Sequence, residues 1–468
     1  MLSRFNYSRL SPNSFWTKTS LYKTISESDF TNHNWQSKNT LNNNTIMNIA
    51  DTPSKFWSDV SRSQSSSTMS IKITPYIISL INWNDPYNCP IRKQFLPVKS
   101  TVESDHPLLK LDSLNEQTDS PVDGLIHRYN DKVLFLTSSI CPVYCRFCTR
   151  SYSIGKNTES VNKKKFIPGK SRYEKIYDYI EKHEEIEDVV ISGGDTYMLP
   201  AHTLFELGKR LLSIEHIRRI RFATKGLSVM PMKILSDNSW FESLVKLNNL
   251  ARDQYKSIAI HTHINHPNEI TYITKNAAEK LYKANIHVRN QSVLLRGIND
   301  NIETMYELIK YLSYINIQPY YVYLHDMVSG AEEFRTSLHF AVELEKLLRG
   351  CTAGFNMPQF IVDLPNGGGK RLVSSFDSYD RQTGISIFRS PQITRRKLEQ
   401  SKTSTDLFFY FDPLRSISEK YQNYNATQFT ELVNEQIINS QKNSRSVMPE
   451  KNILLKCEPN TNFRFKSI

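Results

Sequence analysis

The chain has 468 residues, 39% hydrophobic and 23% charged, enough for one large domain with extensions or for two or three smaller ones. No apolar run reaches membrane-spanning length, which argues against an integral membrane protein, and six cysteines in a chain this long are too few for a disulfide scaffold. The net charge of +12 admits a nucleic-acid partner, yet the basic residues do not interleave with aromatics along any one element and read as lysines on solvated faces, so no nucleic acid is expected.

In chain order, residues 1–26 carry Arg4, Arg9, Lys18 and Lys23, are rich in serine and threonine, and have no acid before Glu27. That composition predicts an organelle transit peptide, mitochondrial by type; a cytoplasmic protein with a basic terminus is the alternative. Residues 27–120 form an N-terminal helical and linker region, with NNNT at 42–45 and SRSQSSS at 61–67 as low-complexity stretches and aromatic anchors at 35–39 and 56–60. From about residue 130 a rhythm begins. KVLFLTS (132–138), DVVISGG (188–194), RIRFATK (219–225), SIAIHTHI (257–264), HVRNQSVLL (287–295) and PYYVYLHD (319–326) read as buried strands. The stretches at 171–186, 203–214, 276–285 and 301–315 between them have helical spacing. Strand alternating with helix predicts a parallel α/β architecture, a partial or full barrel over 121–345, with the loops after the strands on one face. Residues 392–468 read as a polar, partly helical C-terminal extension.

Polar and reactive residues gather at the strand ends. Cys141, Cys145 and Cys148 follow the first strand, Gly193, Gly194 and Asp195 end the second, His263 ends the fourth, Gln291 lies in the fifth and Asp326 ends the sixth. Half of the chain's six cysteines thus fall within eight residues, at spacing C-x3-C-x2-C. Soft sulfur donors select iron–sulfur clusters or zinc, and structural zinc usually takes four protein ligands in two pairs. Three thiolates suit a cubane cluster with one iron left for a small chelating molecule. Cys89, Cys351 and Cys457 are isolated and read as ordinary small residues.

The C-x3-C-x2-C loop resembles that of radical S-adenosylmethionine (SAM) enzymes, and CPVYCRFCTR (141–150) resembles the lysine 2,3-aminomutase branch. NCPIRKQFLP (88–97), GLIHRYNDKVLFL (124–136), VVISGGD (189–195), HTHINHPNEIT (261–271), NQSVLLRGIND (290–300), YYVYLHDMVSGAEEFRT (320–336) and VDLPNGGGK (362–370) are similar to that family's blocks, in its order, from about Trp35 to Pro391. The resemblance implies a radical SAM partial (β/α)6-type barrel with N- and C-terminal extensions, and Cys141, Cys145 and Cys148 as ligands of a [4Fe–4S] cluster. It implies SAM contacts at Gly193, Gly194, Asp195, His263 and Gln291, which leaves the three histidines of HTHINH outside a metal site. Lys370 would form the Schiff base with pyridoxal 5′-phosphate (PLP), in a segment over 346–391 that completes the active site. Arg128, Tyr129 and Lys132 match the PLP-phosphate neighbourhood; Lys132 stands where arginine is usual and loses its bidentate fork. Asn366 stands where a fourth glycine is frequent, and asparagine tolerates the left-handed conformation.

For the substrate, the resemblance implies that Asp326 and Asp363 clamp the side-chain ammonium of lysine and that Arg150 takes its carboxylate. The expected reaction interconverts L-lysine and β-lysine, started by a 5′-deoxyadenosyl radical. A ferredoxin- or flavodoxin-type protein would deliver the electron, and a homo-oligomer is compatible. The family's C-terminal zinc cysteines are absent, since only Cys457 follows Pro391. The alternatives are an aminomutase for another amino acid, a radical SAM enzyme that modifies RNA, and a binding protein that has kept the fold.

Overall fold

The computed structural model describes residues 7–46, 49, 52–390 and 407–444. Nine strands make one sheet in which each strand lies beside its neighbour in sequence. β1 (Leu125–Tyr129) and β2 (Lys132–Leu136) form an antiparallel hairpin. From β2 the sheet runs parallel through β3 (Asp188–Ser192), β4 (Arg219–Ala223), β5 (Ser257–Thr262), β6 (His287–Leu294), β7 (Gln318–Leu324) and β8 (Gln359–Leu364). β9 (Gly369–Leu372) turns back against β8 and sets Lys370 opposite Asp363.

Parallel neighbours require crossovers, and helices supply them. These are α1 (Lys170–Glu181), α2 (Ala201–Leu212), α3 (Asn238–Asp253), α4 (Tyr272–Lys283), α5 (Ile302–Tyr314) and α6 (Leu338–Leu348). Four of them start on side chains that accept otherwise orphaned N–H groups: Asp237, Thr271, Asn301 and Ser337. α4 and α5 stop at Asn285 and Asn316, both left-handed at φ 55° and 56°. On β6, buried Val288, Asn290, Ser292 and Leu294 alternate with half-buried Arg289, Gln291 and Val293. The second set faces the interior, because Gln291 and Val293 lie opposite Tyr321 and Tyr323, and Lys370 Nζ lies over the Tyr323 ring. Lys370 Nζ is 5.8 Å from the ring centres of both Tyr323 on β7 and Tyr129 on β1. The sheet is therefore curled until its two edges approach, an almost closed barrel.

Two departures from the expected organisation concern the ends. Tyr7–Leu10, Phe15–Lys18 and Ser20–Tyr22 are short 3₁₀ turns within the segment whose composition suggests a transit peptide. Trp16 is 1% exposed, stacks on Phe30 at 4.6 Å and donates its indole N–H to the Ile25 carbonyl at 3.0 Å. Phe15 meets Tyr76 and, on α4, Tyr272 edge-on. Loss of residues 1–26 would remove both aromatics from this packing. At the other end, the expected polar extension contains a buried strand. β10 (Ser378–Asp380), β11 (Ile385–Arg389) and β12 (Leu407–Phe411) make a second antiparallel sheet. Tyr410 on β12 is fully buried. The chain divides into a first compact unit reaching Ile417 and a second from Ser418, which contains the helix Ala426–Ser444. Cys457 lies outside the described residues. Among those residues, no helix is long and apolar enough to cross a membrane.

Replacing a buried tryptophan by alanine typically costs about 3–5 kcal/mol. Trp16→Ala should lower the chemical denaturation free energy by an amount in that range; an unchanged midpoint would show that the N-terminal segment contributes nothing to the body.

Candidate active site

The cysteine loop is placed by a backbone seam. Beyond β2 and β3 the two chains continue side by side: Thr137 N donates to Ser192 O at 2.9 Å, Gly194 N to Ser138 O at 2.5 Å and Asp195 N to Ile140 O at 2.9 Å. Such close approach leaves no room for side chains. A Cβ on Gly194 would lie 2.0 Å from the Ile140 carbonyl oxygen, and one on Gly193, at φ +116°, would lie 2.7 Å from backbone atoms of Thr137 and Ser138. The glycine pair thereby sets the position from which Cys141 departs. Cys141 and Cys148 pack against Met69, Tyr144 and Ile154, and Cys145 against the cluster holding Phe147 and Leu295. Burial raises all three thiols above the usual range, and for Cys141 the nearby Asp195 and the other two cysteines add to it. Among the described residues, no three His, Cys, Asp or Glu side chains close on one point as a single ion requires. A cluster makes a different demand, since each cysteine binds its own iron, and three sulfurs on one loop, with no fourth cysteine beside them among the described residues, fit that donor set.

Asp195 is more committed than its expected role suggests. It accepts from Tyr197 N at 2.9 Å, from Lys225 N at 2.8 Å and from the Thr224 hydroxyl. Three protein donors leave one carboxylate lone pair for a ligand. His263 stacks on Phe147, inside the cysteine loop, at 5.7 Å, and burial beside Lys225 lowers its pKa to about 3, so the ring is neutral. Gln291 donates to His261 Nδ1 at 3.0 Å on the interior face. The other two ring contacts of HTHINH are local: His263 Nε2 meets Asn265 Nδ2 at 3.1 Å, and His266 Nδ1 accepts from Asn268 N. Glu269, absent from the expected site, holds this loop. It accepts from Asn265 N and His266 N and pairs with Lys225 at 3.0 Å.

Asp326 lies within reach of the Asp363 charge. Lys370 Nζ donates to Asp363 Oδ2 at 2.6 Å, and Arg128 Nη1 lies 3.7 Å from Asp363 Oδ1. The Thr149 hydroxyl donates to Asp326 Oδ2 at 2.5 Å. Each aspartate keeps one buried oxygen, Oδ1, without a hydrogen-bond partner. Burial, with the neighbouring Asp363 charge, pushes Asp326 up to about 7, whereas Lys370 and Arg128 hold Asp363 below the usual carboxylate range. One member of the pair thus meets two cations, and the other accepts from a hydroxyl.

Lys370 fits a PLP-binding lysine by its surroundings. It follows Gly367, Gly368 and Gly369, its ammonium lies between two tyrosine rings, and its backbone N–H donates to the Tyr129 hydroxyl at 2.8 Å. Asn366 is left-handed at φ 57°, so it does serve in place of glycine. The two expected phosphate cations have other partners. Arg128 donates to Asp119 at 3.1 Å and to Leu114 O at 2.6 Å, and Lys132 pairs with Asp131 and lies 4.9 Å over the Tyr129 ring.

Arg150 is held by a residue outside the expected site. Its Nε and Nη2 donate to the two oxygens of Glu116 at 2.9 and 2.7 Å, and the Tyr152 hydroxyl adds a third bond to Glu116 at 3.0 Å. Glu116, Thr149 and Tyr152, with Glu269, are functional-site residues that sequence reasoning missed. A short signal exists for Thr149 and Tyr152, which flank Arg150 in the cysteine loop; none marks Glu116.

An almost closed parallel barrel with a three-cysteine loop at the carboxyl end of its first parallel strand defines a radical SAM enzyme. The radical SAM superfamily model matches residues 135–309. L-lysine 2,3-aminomutase of Clostridium subterminale is 36% identical over 354 residues, 75% of this chain and 80% of the relative. That of Bacillus subtilis is 34% identical over 363 residues, 77% of this chain and 72% of the relative. Glutamate 2,3-aminomutase of Clostridioides difficile is 32% identical over 348 residues, 74% of this chain and 76% of the relative. The chain belongs to the lysine 2,3-aminomutase family of radical SAM isomerases.

Gly194→Ala should displace Ile140 and with it the cysteine loop. The expected outcome is loss of cluster iron and of its visible absorbance in a variant whose far-ultraviolet circular dichroism matches the parent.

Proposed function

We propose that the protein interconverts L-lysine and β-lysine by moving an amino group between C2 and C3. The observation that carries this reading is the Asp326–Asp363 pair, whose second member already takes an ammonium, that of Lys370, at 2.6 Å. A lysine substrate presents the same head group, and any commitment of the Lys370 nitrogen elsewhere leaves Asp363 with Arg128 alone and its Oδ2 side open to an ammonium. Arg150 would hold the substrate's carboxylate. Anchoring both ends restricts the substrate to few poses, which lets one hydrogen be taken in preference to others. A glutamate side chain would bring a further carboxylate to two buried acids, where like charges are costly.

Cys141, Cys145 and Cys148 would hold a [4Fe–4S] cluster with SAM at the fourth iron, a pair that supplies a 5′-deoxyadenosyl radical able to take hydrogen from carbon. Lys370 would hold PLP, whose π system supplies stabilisation of an unpaired electron during nitrogen migration. Around them the chain orients and excludes water: Tyr144 and Phe147 of the cysteine loop are buried, and half-buried His263 stacks on Phe147. The electron would come from a ferredoxin- or flavodoxin-type donor.

Anaerobic reconstitution with iron, sulfide, PLP and SAM, followed by product analysis from labelled lysine and labelled glutamate, tests the reading. β-Lysine from lysine, with glutamate unchanged, is expected; turnover of glutamate alone overturns it. Asp326→Asn should raise the lysine KM about 10- to 100-fold, the equivalent of the roughly 1.5–3 kcal/mol of a hydrogen bond to a charged group. The pH dependence follows from the raised Asp326. Below about 7 this acid is protonated and offers no charge to an ammonium; above it, the anion does. The lysine KM should therefore fall as pH rises through about 7, and that limb should vanish in Asp326→Asn.

A further inference from the structure

We infer that Glu116 is a positioning residue that fixes which edge of Arg150 meets the substrate carboxylate. The inference rests on Arg150 being the carboxylate partner, as proposed above.

A guanidinium has five N–H groups, and two of its edges can each meet a carboxylate side-on. Glu116 occupies one edge fully, through Nε at 2.9 Å and Nη2 at 2.7 Å. Nη1 makes no hydrogen bond among the described residues, so the edge formed by Nη1 and the second hydrogen of Nη2 is left for a ligand. Arg150 is 24% exposed at its side chain, whereas the Glu116 side chain is 4% exposed. The acid is therefore the fixed partner and the arginine the one that reaches outward.

Glu116 is itself anchored on both sides. Tyr152 donates to its Oε2 at 3.0 Å, and Asp112 accepts from the backbone N–H groups of Glu116 and Gln117 at 2.9 and 3.0 Å. The same short segment accepts from Arg128 at Leu114 O and Asp119, and from Asn366 N at Ser113 O at 2.8 Å. One strap thus sets the arginine of the cysteine loop, the arginine behind Asp363 and the glycine loop before Lys370. Removing the Glu116 charge would free Arg150 to turn, while the Asp326–Asp363 end of the site would keep its contacts.

The test compares lysine with lysinamide, which keeps both amines and lacks the carboxylate. Dissociation constants are measured by anaerobic calorimetry on enzyme reconstituted with cluster, SAM and PLP but without reductant, so that no turnover occurs. Glu116→Gln should weaken lysine about tenfold, the scale of one charge-assisted hydrogen bond, and leave lysinamide within about twofold. Equal weakening of both ligands, or of neither, overturns the inference. Tyr152→Phe, which removes one anchor and keeps the charge, should shift lysine alone in the same direction by a smaller factor. It decides the matter by the same comparison should Glu116→Gln not fold. Arg150→Met separates the two levels. If it erases the preference for lysine over lysinamide while Glu116→Gln does not, only the role of Glu116 falls. If Arg150→Met leaves the preference intact, Arg150 is not the carboxylate partner and both readings fall.

Discussion

A carboxylate removed from water must find a cation, and the interior of this barrel contains two carboxylates that share the problem. Asp363 solves it within the chain, with Lys370 in front and Arg128 behind. Among the described residues the Asp326 carboxylate accepts from the Thr149 hydroxyl alone, and burial raises it toward neutrality. Replacing either cation would leave buried Asp363 with a single partner, and replacing both would leave it unpaired, an expensive state. The placement of β8 and β9 as an antiparallel pair, with Asp363 opposite Lys370, is what keeps this balance local.

The cysteine loop joins the two halves of the chemistry through a few covalent bonds. Cys148, Thr149 and Arg150 are consecutive, and they serve in turn a cluster-ligand position, the acid that lacks a cation and the arginine held by Glu116. Upstream, the loop leaves the sheet along the glycine seam, whose backbone contacts tolerate no Cβ. Any displacement of this loop therefore moves Cys148, Thr149 and Arg150 together. Their separation is set by chain geometry rather than by packing of separate elements.

The six expected strands were legible because buried parallel strands make short apolar runs; HVRNQSVLL at 287–295 corresponds to His287–Leu294. The antiparallel edges were harder. LIHRY at 125–129 mixes charge into a strand, and LFFYF at 407–411 is strongly apolar but sits between polar stretches. Within the site, the cysteines declare themselves by spacing alone, whereas Lys370, Asp326 and Asp363 needed the family resemblance. Glu116 lies 34 residues from Arg150, and Thr149 lies 177 from Asp326. Their meaning depends on contacts that no local pattern encodes. Asp195 shows the converse: the motif position was evident, but its three internal donors were not.

The strand β12 closes the account of the lysine loop. Gly368 abuts the Phe408 ring, so that a Cβ there would lie 2.5 Å from it, and Tyr410 donates to the carbonyl of His325, the residue before Asp326, at 2.9 Å. Synthesis proceeds from the N-terminus, and domains begin to fold as they emerge. The barrel strands, the acids and Lys370 are all made before β12. The Gly368–Phe408 and Tyr410–His325 contacts therefore join the lysine loop and the Asp326 loop to the last of these parts to be synthesised.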